Sequence, residues 1–378
     1  MLFQQLVLNS VSDMMMNKFN SPVTDPKYFL GRRALISKIY ARIGAGRPQS
    51  VSIVGDIKIG KSSLLGYLAH EDVKRQMLKN PDEYIFLYIP CRNDNLLTLG
   101  TFTGMIYRMT RKYTENSDNT SIQLEYNYFK RLVENLHKQN KKIILFMDDF
   151  NLITLNPAFP LEFFSFLRSL ANNYNLAYIT TSYEDLQKLC VSKDIEESPF
   201  FNIFTNMSLR GLEADEIDTL IQIASDDFGN NIEEYKDYLI NLVGNGPYPL
   251  QLACHYLQKY KKEQGDFTPD VKEQFEALIY ENLHGYYEQL WKHMEESYQL
   301  ILSCLAVKKP IPEAKQYLIR DLIKKNYIVS NNGQSQLSST LLQNFVLENS
   351  DSSSIKSNPN MQLKAFISRL ISHLLNRK

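Results

Sequence analysis

The sequence predicts an α/β chain: a three-layer domain built on a parallel sheet, then a helical region, then a small helix–hairpin domain. Three observations carry this. From 29 to about 185, short apolar runs alternate with longer helical stretches. Each run is apolar nearly throughout, as a strand buried on both faces is, and such alternation implies a parallel sheet covered on both sides. After about 205 the strand-like runs stop and helical spacing takes over. Near the end, Asn331-Asn332-Gly333 sits between two short β-type runs, which is a hairpin signal.

Residues 1–24 are a weakly apolar leader with helical character up to 20, and "SPVTDPKY" (21–28) is a Pro-punctuated, extended stretch. The three-layer domain is expected at 25–205. Its strands are "SVSIVG" (50–55), "YIFLYI" (84–89), "KIILFMDD" (142–149) and "LAYITTS" (176–182). Its helices include one from about 61, "SIQLEYNYFKRLVENLHKQN" (121–140) and "LEFFSFLRSLANN" (161–173). A helical domain follows at 206–285, with "EADEIDTLIQIASDDF" and "PYPLQLACHYLQKYKKE" as helices. At 286–348, "SYQLILSCLAV", a continuous helix over "EAKQYLIRDLIKKN" and the hairpin give the outline of a winged helix. Residues 349–360 are a linker by composition, and 361–378 form a basic amphipathic helix.

The bulk composition excludes several classes. A hydrophobic content of 44% over 378 residues supports a sizeable core. Lys plus Arg equal Asp plus Glu at 42 each, so the chain is no wholly basic nucleic-acid coat. The four cysteines, Cys91, Cys190, Cys254 and Cys304, are far apart and suit free thiols in a reducing compartment. No apolar run reaches the roughly 18 residues of a spanning helix. The N-terminus lacks the basic start of a signal peptide, so a cytoplasmic location is expected.

Gly55 to Ser62 matches G-x-x-x-x-G-K-[ST] in full. Gly55 and Gly60 let the backbone curl so that the N–H groups from Asp56, Ile57, Lys58 and Ile59 onward face phosphate oxygens. Lys61 would reach the β- and γ-phosphates, Ser62 would ligate Mg²⁺, and Ser63 lies in the first turn of a helix whose positive end faces the phosphates. This makes the three-layer domain a P-loop NTPase domain. The run "IILFMDDF" ends a strand with Asp148 and Asp149. Asp148 would hold Mg²⁺ and Asp149 would polarise the attacking water. The last strand ends in Thr180, Thr181 and Ser182, where a hydroxyl can sense the γ-phosphate or simply close a strand.

"KYFLGRRALISKIY" before the loop, "SPFFNIFTNMSLRGLEADEIDTLI" after the sheet and "GNGPYPLQLACHYL" beyond it add to these motifs. In this order, over about 25 to 345, the chain resembles the STAND class of signal-transducing NTPases within the AAA+ group, in its novel STAND or AAA-like branch. The resemblance implies an ATPase core, an α-helical lid and a winged-helix domain, with ATP or ADP and Mg²⁺ as ligands. It implies that Phe29, Leu30, Gly31 and Arg32 lie over the base and ribose, although Arg33 replaces the family's usual Glu. It implies that Pro247 of the lid contacts the nucleotide. Here the family's "GGHPY" reads Gly244-Asn245-Gly246-Pro247-Tyr248. Arg168 falls where relatives carry an arginine after the second acidic motif, and it is either structural or reads phosphate across a subunit contact. No separate sensor arginine follows the lid, which suits a slow switch better than a motor.

In the winged-helix region, Lys315, Arg320, Lys324 and Lys325 are basic, while Leu318, Ile319, Leu322 and Ile323 are spaced to face a core. Such a helix either reads a DNA groove or solvates an outer face. In the tail helix, Leu363, Phe366, Ile367, Leu370, Ile371 and Leu374 share one face beside Lys364, Arg369, Arg377 and Lys378. That helix suits fold-back, self-assembly, a protein partner or, less well, an anionic membrane. The leading expectation is a STAND-type ATP switch that acts through self-assembly or an effector protein, in signalling or defence. The alternative is a DNA-binding AAA+ ATPase of origin-recognition or transposition-regulator type.

Overall fold

The computed structural model describes residues 21–23, 25–92, 98–110, 126–228, 231–264, 267–331 and 334–350. The leader up to 20, most of the linker and the expected tail helix at 361–378 lie outside the described residues. The chain divides into two compact units, Met1–Leu209 and Arg210–Lys378.

Within the first unit the described elements are α1 (Arg33–Ile43), β1 (Ser50–Val54), α2 (Lys61–Ala69), α3 (Glu71–Met77), β2 (Tyr84–Pro90), α4 (Leu99–Thr110), α5 (Tyr126–Lys138), β3 (Lys142–Asp148), α6 (Asn151–Thr154), α7 (Leu161–Asn173), β4 (Leu176–Ser182), α8 (Lys193–Glu196) and β5 (Phe204–Ser208). The strands form one sheet in the order β2-β3-β4-β1-β5, with every pair parallel. The side-chain alternation of each strand feeds two cores. Ile144 and Phe146 of β3 join Val51, Ile53 and Ile179 against Ile36, Ile39 and Ile43 of α1 and Leu64, Leu65 and Leu68 of α2. Ile143, Leu145 and Met147 point the other way and pack with Phe102 of α4, Phe129 and Leu132 of α5, and Phe163, Phe164 and Leu167 of α7. The result is the three-layer arrangement that the apolar runs imply.

The four expected strands fall within a residue of the apolar runs, and α7 covers the segment 161–173 as expected. Strands do not stop at the fourth, however. Phe204–Ser208 adds β5 at the sheet edge, pairing with β1 from Ser50↔Phe204 to Val54↔Ser208. Its sequence, FTNMS, is only half-buried, because an edge strand is covered less than a central one. It therefore lacks the apolar run that marks the other four.

The second unit holds α9 (Ala214–Phe228), α10 (Lys236–Val243), α11 (Pro247–Gln264), α12 (Pro269–His293) and α13 (Glu296–Ala306), then α14 (Ile319–Lys324), the antiparallel hairpin β6 (Ile328–Asn331) and β7 (Gln334–Leu337), and α15 (Thr340–Asn349). The helix expected over 313–326 is not continuous: a 3-10 segment, Glu313–Leu318, leads into only six α-helical residues. Leu322 is fully buried, whereas Leu318, Ile319 and Ile323 are half-buried, so little apolar surface holds a longer helix in place. Asn245 has a bracing part here. Its carbonyl accepts from Leu212 N–H at 2.8 Å and its amide donates to Leu212 O at 3.2 Å. Gly211 lies so close that a Cβ there would stand 2.4 Å from Asn245 Oδ1. Among the described residues, no helix is long and apolar enough to cross a membrane.

Candidate active site

The carboxyl ends of the parallel strands are where a sheet of this kind holds ligands. Four sequence-predicted groups meet there in the first unit. The chain leaves β1 at Gly55, whose N–H donates to Ser182 O at 3.1 Å. A Cβ on Gly55 would stand 2.7 Å from Leu209 O and 3.0 Å from Ile59 Cγ2, so close approach of backbone requires glycine. Lys58 (φ 59°) and Gly60 (φ 97°) take left-handed conformations, which turn the loop over Asp56, Ile57 and Ile59 into the start of α2. Lys61 folds back along the loop. Its ammonium donates to Gly55 O and Asp56 O, both at 2.8 Å, and the residue is 9% exposed. Burial lowers its pKa, opposed by Asp149, Asp56 and Asp148.

The acidic pair is organised from two neighbouring strands. Asp148 Oδ1 accepts from the Thr181 hydroxyl at 2.6 Å, and Oδ2 accepts from the Tyr88 hydroxyl at 3.1 Å. Thr181 Oγ1 also accepts from Asp149 N–H at 2.7 Å. Asp149 sits at φ 53°, an uncommon conformation for a non-glycine residue. Its carboxylate pairs with the Arg92 guanidinium at 3.1 Å. Burial and then the Asp148 charge raise the Asp149 pKa, opposed by Arg92 and Lys61.

Two of the three hydroxyls at the end of β4 are thus committed inside the protein, while Thr180 Oγ1 is buried with no hydrogen-bond partner among the described residues. Thr181 joins the two acidic residues, Ser182 Oγ donates to Glu184 O at 2.6 Å, and Thr180 is fully buried. Ser63 is also engaged, accepting Val23 N–H at 3.0 Å. Ser62 is half-buried. Phe29 stacks on Tyr67 of α2 with ring centroids 4.5 Å apart, Leu30 is half-buried, and Gly31 (φ 72°) and Arg32 (φ 62°) turn the chain into α1. Arg168 is half-buried on α7, whose apolar face packs into the core on the side of the sheet away from α2. Among the described residues, no hydrogen bond or ion pair links it to the acidic pair. Pro247 opens α11 in the second unit, where a proline at the first helical position costs no hydrogen bond.

Three residues of this cluster carry no sequence motif: Tyr88, Cys91 and Arg92, at the end of β2. The signal that finds them is register. Pro90 pairs with Asp148, and Cys91 N–H donates to Asp148 O at 3.0 Å. Burial raises the Tyr88 phenol and the Cys91 thiol, and the Asp148 charge adds to both.

The donor set fits Mg²⁺ held jointly with phosphates. Among the described residues no three His, Cys, Asp or Glu side chains converge into a complete cage. One carboxylate, Asp148, and the Ser62 hydroxyl are what a magnesium–phosphate complex takes from protein. A Cβ on Gly60 would meet nothing within 4 Å, so the loop is open where phosphates approach the start of α2.

The family described as Novel STAND NTPase 2 matches residues 45–312. No curated protein matches the sequence. Among solved structures, the Walker-type ATPase of Pyrococcus abyssi aligns with a TM-score of 0.58 at 17% identity, covering 86% of this chain and 98% of that one. The ORC2 protein of Aeropyrum pernix, solved as ADPNP–ADP complexes, gives 0.55 at 14% identity over 85% of this chain and 96% of its own. Its ADP form gives 0.52 at 14% identity over 85% and 92%. At these identities the likeness is one of fold.

Proposed function

The chain belongs to the novel STAND NTPase 2 family and is a P-loop ATPase, and on that premise we propose that it is a slow ATP-dependent switch. The observation that supports this most directly is the meeting of Lys61, Asp148, Asp149 and Thr181 at the strand ends. Lys61 exchanges its two loop carbonyls for phosphate oxygens. The loop N–H groups and the start of α2 bind the remaining phosphate charge. Bound Mg²⁺, held by Ser62 Oγ and Asp148, would neutralise charge on the phosphates. Asp149 orients the attacking water, and its raised pKa suits a group that accepts a proton. Thr181 keeps the two carboxylates in fixed relation.

In this reading the nucleotide state sets the conformation of the chain and its engagement with further copies or with an effector protein, in signalling or defence. Phe29, Leu30, Gly31, Arg32 and Pro247 contribute the base and lid contacts. Four cysteines without disulfides suit a cytoplasmic setting. The region 286–348 is read as a winged helix that serves as a clamp. Its α14 is six residues long, and Lys325 lies over the Tyr298 ring at 5.8 Å. Both features favour packing over a helix laid in a DNA groove.

The test is nucleotide binding by the full chain and by Lys61→Ala. Loss of ATP and ADP binding in the variant, with folding intact, is expected. Normal ATP affinity in the variant would sink the assignment. Mass measurement with ADP and with a non-hydrolysable ATP analogue checks the switch, and an unchanged monomer in every condition removes the assembly reading.

A further inference from the structure

The end of β2 holds an arginine that the mechanism above does not use. The Arg92 side chain is 78% exposed, yet it meets an Asp149 side chain that is only 17% exposed, at 3.1 Å. Its backbone is not free to wander. Pro90 pairs with Asp148 in register, and the N–H of the preceding residue, Cys91, is tied to Asp148 O. The guanidinium is therefore a mobile cation on a fixed mount, beside the carboxylate that has to orient water.

Two further observations put its charge near the phosphate-binding loop. Lys58 on the loop has its pKa lowered by burial and then by the Arg92 charge. The same charge also acts on Lys61. Arg92 is thus within electrostatic reach of both loop lysines and in contact with the catalytic carboxylate. An ion pair with one partner largely in solvent holds only weakly. A terminal phosphate carries more charge than a carboxylate and accepts the planar guanidinium fork through two oxygens.

We propose that Arg92 sets the preference of this site for a nucleoside triphosphate over the diphosphate, its guanidinium passing from Asp149 to the terminal phosphate and releasing Asp149 to orient water. This rests on the nucleotide-switch reading above. With the diphosphate no terminal group is present to draw Arg92 away, and the Arg92–Asp149 pair stays closed. The same side chain then reports which nucleotide is bound and keeps the water-orienting carboxylate occupied until a hydrolysable phosphate arrives. Nothing is oxidised or reduced, and one anionic partner of the guanidinium replaces another.

The test is calorimetric titration of the full chain with ADP and with a non-hydrolysable ATP analogue, both with Mg²⁺. The wild type, Arg92→Ala, Arg92→Lys, Asp149→Asn and the Arg92→Ala/Asp149→Asn double variant are compared. Arg92→Ala is expected to weaken the analogue about tenfold or more while ADP affinity moves by less than roughly twofold. Arg92→Lys retains part of the preference, because it keeps the charge and loses the fork. Asp149→Asn removes the competing partner and tightens analogue binding, and that gain is absent in the double variant. Equal weakening of both nucleotides by Arg92→Ala, no change in either, or a gain from Asp149→Asn that survives without Arg92 would each overturn the proposal. Failure of the wild type to bind either nucleotide would overturn the switch reading itself. Arg92 is exposed, and thermal unfolding of Arg92→Ala shows whether the fold is intact.

Discussion

The ends of β2 and β3 lie side by side and handle charge in opposite ways. At the end of β3, Asp148 is 9% exposed and fixed by two hydroxyls, Thr181 at 2.6 Å and Tyr88 at 3.1 Å. At the end of β2, Arg92 reaches into solvent and holds a single carboxylate. A buried carboxylate accepting good hydrogen bonds keeps its geometry whatever approaches, which is what metal and water placement require. An exposed guanidinium in a weak pair changes partner at little cost, which is what a sensor requires. Rigidity and exchange are divided between two strands joined in register, and each variant below asks whether that division is real.

Asp149→Asn should have the largest effect. It keeps size and removes the charge proposed to accept a proton. ATP turnover is expected to fall by about 10²- to 10⁴-fold with binding retained. Single-turnover kinetics beside nucleotide titration separates the two effects. Turnover near the wild-type rate would mean that Asp149 has no part in hydrolysis and that another group orients the water.

Thr181→Val comes next. The swap keeps the branched shape and removes the hydroxyl that bonds both Asp148 and Asp149 N–H. Thr181 is fully buried, so the two groups it served lose a partner away from water, at a cost of about 1–3 kcal/mol in stability. Turnover should fall about tenfold to a hundredfold, since a water-placing group displaced by a fraction of an ångström loses much of its effect. Denaturant unfolding and turnover are both measured. A stability loss with unchanged turnover would show that β4 supports the fold and leaves the acidic pair in place.

How much of this was legible in the sequence follows the same physics. β1, β2, β3 and β4 are covered on both faces, so their apolar runs announce them. Gly55 and Gly60 are legible because a backbone curling around phosphate leaves no choice of residue. Asp148 and Asp149 are legible because charges directly after an apolar run are conspicuous. β5 is not, since an edge strand tolerates Thr, Asn and Ser. The break within 313–326 is not, because Leu318, Ile319, Leu322 and Ile323 carry α-helical spacing and nothing in it marks the 3-10 segment that precedes Ile319. Arg92 and Tyr88 are not, because they come near Asp149 and Asp148 through the pairing of β2 with β3, across about 60 residues of chain that no local pattern spans. The hydroxyl of Thr181 stands out as a polar group at a strand end, but that it bonds both acidic residues at the neighbouring strand end is not legible, because that contact spans about 30 residues of chain.

Tyr88→Phe is the mildest test and the most discriminating for the rigid side of the comparison. The phenol donates one hydrogen bond to Asp148 Oδ2 from a ring that is half-buried. Its removal leaves Asp148 with the shorter Thr181 bond and with whatever metal or water it binds, so the loss is about 1 kcal/mol, or severalfold in affinity. Because Asp148 is the candidate magnesium ligand, that loss should appear as a higher Mg²⁺ requirement for ATP turnover, with turnover at saturating Mg²⁺ nearly unchanged. Titration of activity against Mg²⁺ makes the distinction. A drop in turnover that excess Mg²⁺ does not restore would place Tyr88 on the catalytic water instead, and the end of β2 would then contribute to chemistry as well as to sensing.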